Sequence, residues 1–221
     1  MYHSFPDRRE AGRQLGREVA AYLREVGAHG RPLVLALPRG GLPVGLEVAA
    51  AIGGDLDIAV ARKIGLPGQP EYGIGAVTAD GPPIFTTAVL RQLGMREDEL
   101  APAVDRERAE AWRRLRRYRG DRPPPEVGGR TVIVTDDGLA TGVTATAALR
   151  QLRARGPELL VFAAPVCAPD AAQRLRGDAD AVVYVLAPRD FTAVGAWYDD
   201  FRQLTDRDVM AALAEARAPL S

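Results

Sequence analysis

The chain has 221 residues, 47% hydrophobic and 26% charged, with 29 basic residues balanced by 29 acidic ones. That length suits one domain with an insertion, and the zero net charge disfavours binding to nucleic acid or anionic membrane by overall charge. No apolar run reaches the ~20 residues of a membrane span, and the polar N-terminal stretch MYHSFPDRREAGRQLGREVA is not expected to act as a signal peptide. The single Cys167 makes no internal disulfide and fits a reducing cytoplasm. Serine occurs only at 4 and 221, so there is no Gly-x-Ser-x-Gly elbow. His3 and His29 with one cysteine cannot build a zinc-type cluster. Lys63 is the only lysine among the basic residues.

In chain order, the spacing of Ala11, Leu15, Val19 and Leu23 predicts an amphipathic helix over 7–26, with Asp7 as its N-cap. The apolar run 32–37 predicts a buried strand. The break PRGGLPV follows, and Pro43 opens a helix over 43–52. Residues 56–63 predict a second strand, 64–73 a loop rich in Gly and Pro, and 74–85 a hairpin turning near Asp80 and Gly81. A long helix is expected over 97–119, ended by the linker GDRPPPEVGG. Strand 131–135, helix 143–155, strand 158–165, helix 169–176 and strand 181–186 follow. An irregular aromatic tail, RDFTAVGAWYDDF (189–201), leads to a last helix over 206–217.

Strands alternating with helices predict an α/β fold, a central and mostly parallel sheet flanked by helices. Ligands of such sheets bind beyond the carboxyl ends of the strands. Three loops follow strands, 38–42, 62–73 and 136–144, and all three are expected to open on the same edge.

In the last of these, Gly138 and Gly142 permit unusual backbone conformations, and successive N–H groups entering a helix N-terminus suit a phosphate. Thr141 and Thr144 add hydroxyls. It is not a Walker A loop, since no Gly-Lys-Ser/Thr occurs. Asp136 and Asp137 stand just ahead of it. Carboxylates repel a phosphate but accept hydrogen bonds from vicinal hydroxyls, so a sugar phosphate meets both demands.

VIVTDDGLATGVT (132–144) resembles the phosphoribosyl-diphosphate (PRPP) binding motif of type I phosphoribosyltransferases. The resemblance implies a type I phosphoribosyltransferase-like α/β fold in one domain, 1–221, with a helical insertion at 86–128 and a C-terminal hood and helix at 187–221. It implies that Asp136 and Asp137 hold the ribose hydroxyls, and through them or through water a Mg²⁺ ion. Gly138, Leu139, Ala140, Thr141, Gly142, Val143 and Thr144 would hold the 5′-phosphate. LPRGG (37–41) is similar to the family's pyrophosphate loop, with Arg39 on the diphosphate, Gly40 and Gly41 admitting the backbone, and a non-proline cis peptide at Pro38–Arg39. ARKIGLPGQPEYGIG (61–75) resembles the mobile catalytic loop, with Arg62 and Lys63 meeting the diphosphate. By that resemblance Asp136, Asp137, Lys63 and Arg39 are the catalytic residues.

The tail resembles the hood of the hypoxanthine-guanine enzymes, which implies acceptor binding by Phe191, Val194, Gly195, Asp199 and Asp200. Ala140 stands where some purine enzymes carry an acidic residue, so a general base comes from Glu71, Asp199 or Asp200, or the acceptor needs none. The implied reaction is Mg²⁺-dependent displacement of pyrophosphate from PRPP by a nucleobase-like small molecule, in a cytoplasmic homodimer. The sequence also resembles bacterial phosphoribosyltransferase-like proteins whose acceptors are poorly defined. Two alternatives stay open: transfer to a non-nucleobase acceptor, and a PRPP-binding regulator of nucleic acid that uses Arg106, Arg108, Arg113, Arg114, Arg116, Arg117 and Arg119, arginines that otherwise suit a solvated helix face mixed with Asp and Glu, a lid over the acceptor or a dimer interface. The absence of a helix-turn-helix region and of net positive charge disfavours the regulator.

Overall fold

The structure, a computed structural model, describes residues 4–216 apart from the side chains of residues 70 and 71. Its elements run α1 (Arg8–Glu25), β1 (Leu33–Ala36), α2 (Gly41–Ile52), β2 (Asp55–Ile58), β3 (Ala61–Leu66), β4 (Gln69–Thr78), β5 (Ile84–Phe85), α3 (Thr87–Leu93), α4 (Ala101–Arg119), β6 (Thr131–Thr135), α5 (Val143–Arg153), β7 (Leu159–Val166), α6 (Pro169–Leu175), β8 (Ala181–Leu186) and α7 (Asp206–Glu215). Short 3₁₀ turns cover Glu97–Leu100 and Val194–Trp197. Among the described residues no helix is long and apolar enough to cross a membrane.

Five parallel strands form the central sheet in the order β2-β1-β6-β7-β8. β1 and β6 are buried along their whole length, as strands covered on both faces must be. One core joins α5 and α6 to the sheet through Leu149, Leu152, Phe162 and Leu175. On the other face Leu15 and Val19 of α1 and Val44 and Val48 of α2 pack on Ile133 and Val161. The predicted stripe of α1 is the buried one, and the Asp7 carboxylate accepts from Glu10 N at 2.8 Å.

The predicted strand 56–63 is two strands. β2 pairs with β1, whereas β3 leaves for a separate antiparallel sheet ordered β3-β4-β5. Much of the expected loop 64–73 lies in the β3–β4 hairpin, whose tip is Pro67-Gly68. Gly68 has φ +82°, as the third position of a Pro-Gly turn requires. The expected hairpin over 74–85 is present as the β4–β5 pair. This small sheet has its own core, Ile64, Ile74 and Val77 against Leu90, Leu100 and Val104. It brings in α3, which sequence reasoning missed, and α4. The inner face of α4 then carries Ala111 and Tyr118 into a third cluster with Leu42 and Leu46 of α2 and Val209 and Leu213 of α7.

Candidate active site

β1 and β6 are neighbours, and Leu37 N donates to Thr135 O at 2.8 Å, so their two following loops open side by side at the carboxyl edge. The peptide Pro38–Arg39 is cis, as expected. The loops interlock: a Cβ on Gly40 would stand 1.9 Å from Asp137 Oδ2, so a side chain there would have to displace that carboxylate. Asp137 N donates to Asp136 Oδ1 at 2.8 Å. Burial, and then the adjacent Asp137 charge, push the Asp136 carboxyl well above the usual range. The Tyr198 hydroxyl donates to Asp137 O at 2.6 Å, and burial raises that phenol so that it stays a donor.

The 138–144 loop is anchored at Leu139, whose backbone bridges the end of β7: Leu139 N donates to Val166 O and Ala168 N to Leu139 O. Cys167 lies buried beneath, pushed up to about 12 by burial, and is a packed thiol rather than a nucleophile. Val194 of the tail covers Gly138 so closely that a Cβ there would meet its Cγ1 at 2.4 Å. Ala140 and Thr141 are exposed, and α5 begins at Val143. Thr141, Gly142, Val143 and Thr144 line a cavity of about 780 Å³ together with Lys63, Ile84, Phe85 and Arg150.

A second cavity, about 380 Å³, lies on the far side of Gly40. Arg8, Arg39, Gly40, Arg114, Phe201, Gln203 and Leu204 line it. Arg8 Nε pairs with Asp137 Oδ2 at 2.8 Å, its Nη1 donates to Arg202 O at 3.0 Å, and its guanidinium lies 3.9 Å from the Phe201 ring centre. Arg39 Nη1 donates to Leu204 O at 2.8 Å, and Nε stands 3.2 Å from Asp206. Arg114 Nε donates to Glu110 at 2.8 Å.

Several expected positions fall elsewhere. Arg62 pairs with Glu107 of α4 at 3.0 Å and does not line the Gly40 cavity. Lys63, on the other face of the strand, lines the Thr141–Thr144 cavity rather than the one beside Arg39. Asp199 accepts from Ser4 Oγ at 2.6 Å. Asp200 accepts from Arg202 N and lines a cleft with Asp7 and Arg9 on the α1 side. Neither lines the two cavities above. Phe191 packs with Val166, Val194, Trp197 and Tyr198 in the small core that joins the tail to Phe5, and Gly195 abuts Phe201. The Glu71 side chain lies outside the described residues.

Sequence reasoning passed over Arg8 and left Arg114 among the arginines of a solvated helix face, an acceptor lid, a dimer interface or a nucleic-acid contact, yet a signal existed. Arg8 continues the buried stripe of Ala11, Leu15, Val19 and Leu23. Arg114 lies between Ala111 and Tyr118 at the helical spacings of three and four. A charge on a buried stripe needs a buried partner or a ligand.

Residues 8–197 match the family model described as a phosphoribosyl transferase domain. Two Mycobacterium tuberculosis proteins, from strains CDC 1551 and H37Rv and each named "Putative phosphoribosyl transferase", are 41% identical over 214 residues, 96% of this chain and 47% of theirs. The chain thus spans about half the length of the curated relatives it matches. The crystal structure of TT1426 from Thermus thermophilus is 41% identical, covers 97% of this chain and 100% of its own, and superposes with a TM-score of 0.80. AQ2163 from Aquifex aeolicus shares the fold at 11% identity, 85% of this chain, 78% of its own and a TM-score of 0.51.

Proposed function

This chain belongs to the phosphoribosyl transferase family, and from that premise we propose that it binds PRPP and transfers the phosphoribosyl group to a small nucleobase-like acceptor, releasing pyrophosphate. The observation that carries this reading is the interlocking of two loops at neighbouring strand ends. Asp137 touches Gly40 and Arg8, which line the arginine-walled cavity, and the chain runs from it directly into the Gly/Thr loop 138–144, part of which lines the other cavity. A ribose seated on the carboxylates would have its 5′-phosphate in the first and its 1-diphosphate towards the second.

Nucleophilic displacement at C1 develops positive charge on the sugar and negative charge on the departing diphosphate. Arg39 and the Gly40 backbone favour the second, and Asp136 and Asp137 orient the ring by its hydroxyls. Mg²⁺ bound by few carboxylates plus substrate oxygens is its ordinary habit. Asp136 and Asp137 would hold it directly or through water, and it would supply charge neutralisation of the diphosphate. A cation there would favour the ionised form of Asp136, which burial and then the adjacent Asp137 charge disfavour.

The nucleic-acid reading gains no support from α4. Arg106 and Arg62 pair with Glu107, Arg113 and Arg114 with Glu110, Arg117 with Asp206 and Arg119 with Asp57, so much of its positive charge is spent within the molecule. A non-nucleobase acceptor is the second reading. The engagement of Asp199 with Ser4 favours it, because that leaves this aspartate away from the acceptor.

Calorimetric titration with PRPP and Mg²⁺ tests the proposal. Binding by the native protein that falls on the order of 1,000-fold in Asp136→Asn/Asp137→Asn is the expected result, since two charged hydrogen-bond acceptors are lost. No binding by the native protein would overturn it.

A further inference from the structure

We propose that Arg8 and Arg114 bind the diphosphate of the donor, so that the N-terminal helix and the insertion helix complete a subsite begun by Arg39 and Gly40. The inference rests on the PRPP-binding reading above. Neither residue belongs to the 37–41 or 132–144 stretches that carry that reading, and no comparison assigns either one.

The cavity beside Gly40 presents three guanidinium groups, and no carboxylate is among the residues that line it. Three guanidinium groups lining one space of about 380 Å³, with no carboxylate on its wall, favour an anion among them. Their carboxylate partners stand behind them: Asp137 for Arg8, Asp206 for Arg39 and Glu110 for Arg114. A guanidinium has five N–H donors. The bond to Glu110 uses Nε of Arg114, which leaves its two Nη groups for the cavity that it lines. Several charged donors converging from different directions suit a polyphosphate better than a single carboxylate.

The fold delivers these arms by packing. Ala111 and Tyr118 bury one face of α4 against α2 and α7, and Arg114 lies on that face. Arg8 is 8% exposed and touches Asp137 on one edge while lining the cavity. It therefore links the carboxylate that faces the ribose to the subsite that faces the leaving group. The arginine-rich segment of α4 gains a role: most of its charges are paired structurally, and one of them turns inward to the diphosphate.

Calorimetry with two probes, inorganic pyrophosphate with Mg²⁺ and ribose 5-phosphate, separates this claim from the reading beneath it. Arg114→Gln is expected to weaken pyrophosphate about tenfold or more, leave ribose 5-phosphate within about twofold, and have part of the loss restored in Arg114→Lys. Pyrophosphate affinity within about twofold of native in Arg114→Gln would overturn the proposal. So would a native protein that binds ribose 5-phosphate but not pyrophosphate, and the PRPP reading would then survive for the sugar end alone. A native protein that binds neither removes both. Arg8→Gln should show the same split between probes. Its buried ion pair makes a melting curve the first check, and Arg114 decides the question if that variant does not fold.

Discussion

At one end of the proposed PRPP site, seven consecutive residues, 138–144, carry the loop from β6 into the start of α5. At the other end, Arg8, Arg39 and Arg114 come from α1, the loop after β1 and α4, and the tail residues Phe201, Gln203 and Leu204 close the wall. The first end relies on backbone amides and a few hydroxyls, whose directions follow from local conformation. The second relies on long charged side chains, whose directions depend on how separate elements pack. An end built locally tolerates change elsewhere in the chain, whereas an end assembled from distant elements inherits every error in their placement.

Four perturbations sharpen that contrast. The largest effect is expected at the assembled end: Arg8→Met leaves Asp137 partly buried without its ion-pair partner. It should cost about 3 kcal/mol of stability, read by urea unfolding at pH 7. A loss near zero would mean that Arg8 is not what holds Asp137. Next comes the local end. Gly138→Ala forces a methyl onto Val194 and should cost about 2 kcal/mol, whereas Ala140→Ser, two residues on and exposed, should stay within about 0.5 kcal/mol. Equal effects at 138 and 140 would show that the tail does not rest on this loop.

The third prediction concerns the residue between the two ends. Burial and Asp137 hold the Asp136 carboxyl above its ordinary 3.8, so its ionised form is the one that folding penalises. The folded state takes up this proton before the unfolded one. For this group alone, ligand-free stability therefore rises as pH falls from the raised value towards 3.8, and the cost is fully present above that window. Asp136→Asn should abolish this rise and melt higher at pH 7, by about 1 kcal/mol, while losing PRPP. A variant that melts lower would contradict the assignment.

The smallest effect is at the tail. The Tyr118 hydroxyl donates to Asp206 at 2.5 Å and, ahead of Arg117 and Arg39, holds its carboxyl below 3.8. That contribution is present above 3.8 and is lost as pH falls through the lower folded value. Tyr118→Phe should remove about 1 kcal/mol or less and flatten this acid limb. An unchanged acid melting profile would exclude the contact as a tail anchor.

Much of the central sheet was legible beforehand. The apolar runs at 32–37, 131–135, 158–165 and 181–186 are β1, β6, β7 and β8 within a residue or two, because a buried parallel strand must be apolar on both faces. The run from 56 to 63 failed for a specific reason. Its β propensity is continuous, and propensity does not say which sheet each half joins; β2 stays with β1 while β3 pairs with β4. The Pro67-Gly68 turn is visible in the sequence, but a turn signal alone does not say that the residues flanking it pair as strands.

What the amino-acid order determined by itself is the chemistry that depends on neighbours along the chain: the buried stripe of α1, the strand ending in Asp136 and Asp137, and the glycine-bearing loop that runs straight into a helix. What only the tertiary structure decided is which charges meet. Arg8 finds Asp137 across 129 positions, Arg62 is taken by Glu107 rather than turned to a ligand, and Arg114 alone among its neighbours lines the cavity beside Gly40. Local conformation follows from short-range sterics and hydrogen bonds that each segment carries with it. An arginine's partner is set by a long side chain's reach into whatever the packed helices bring within a few ångströms, and no local pattern encodes that.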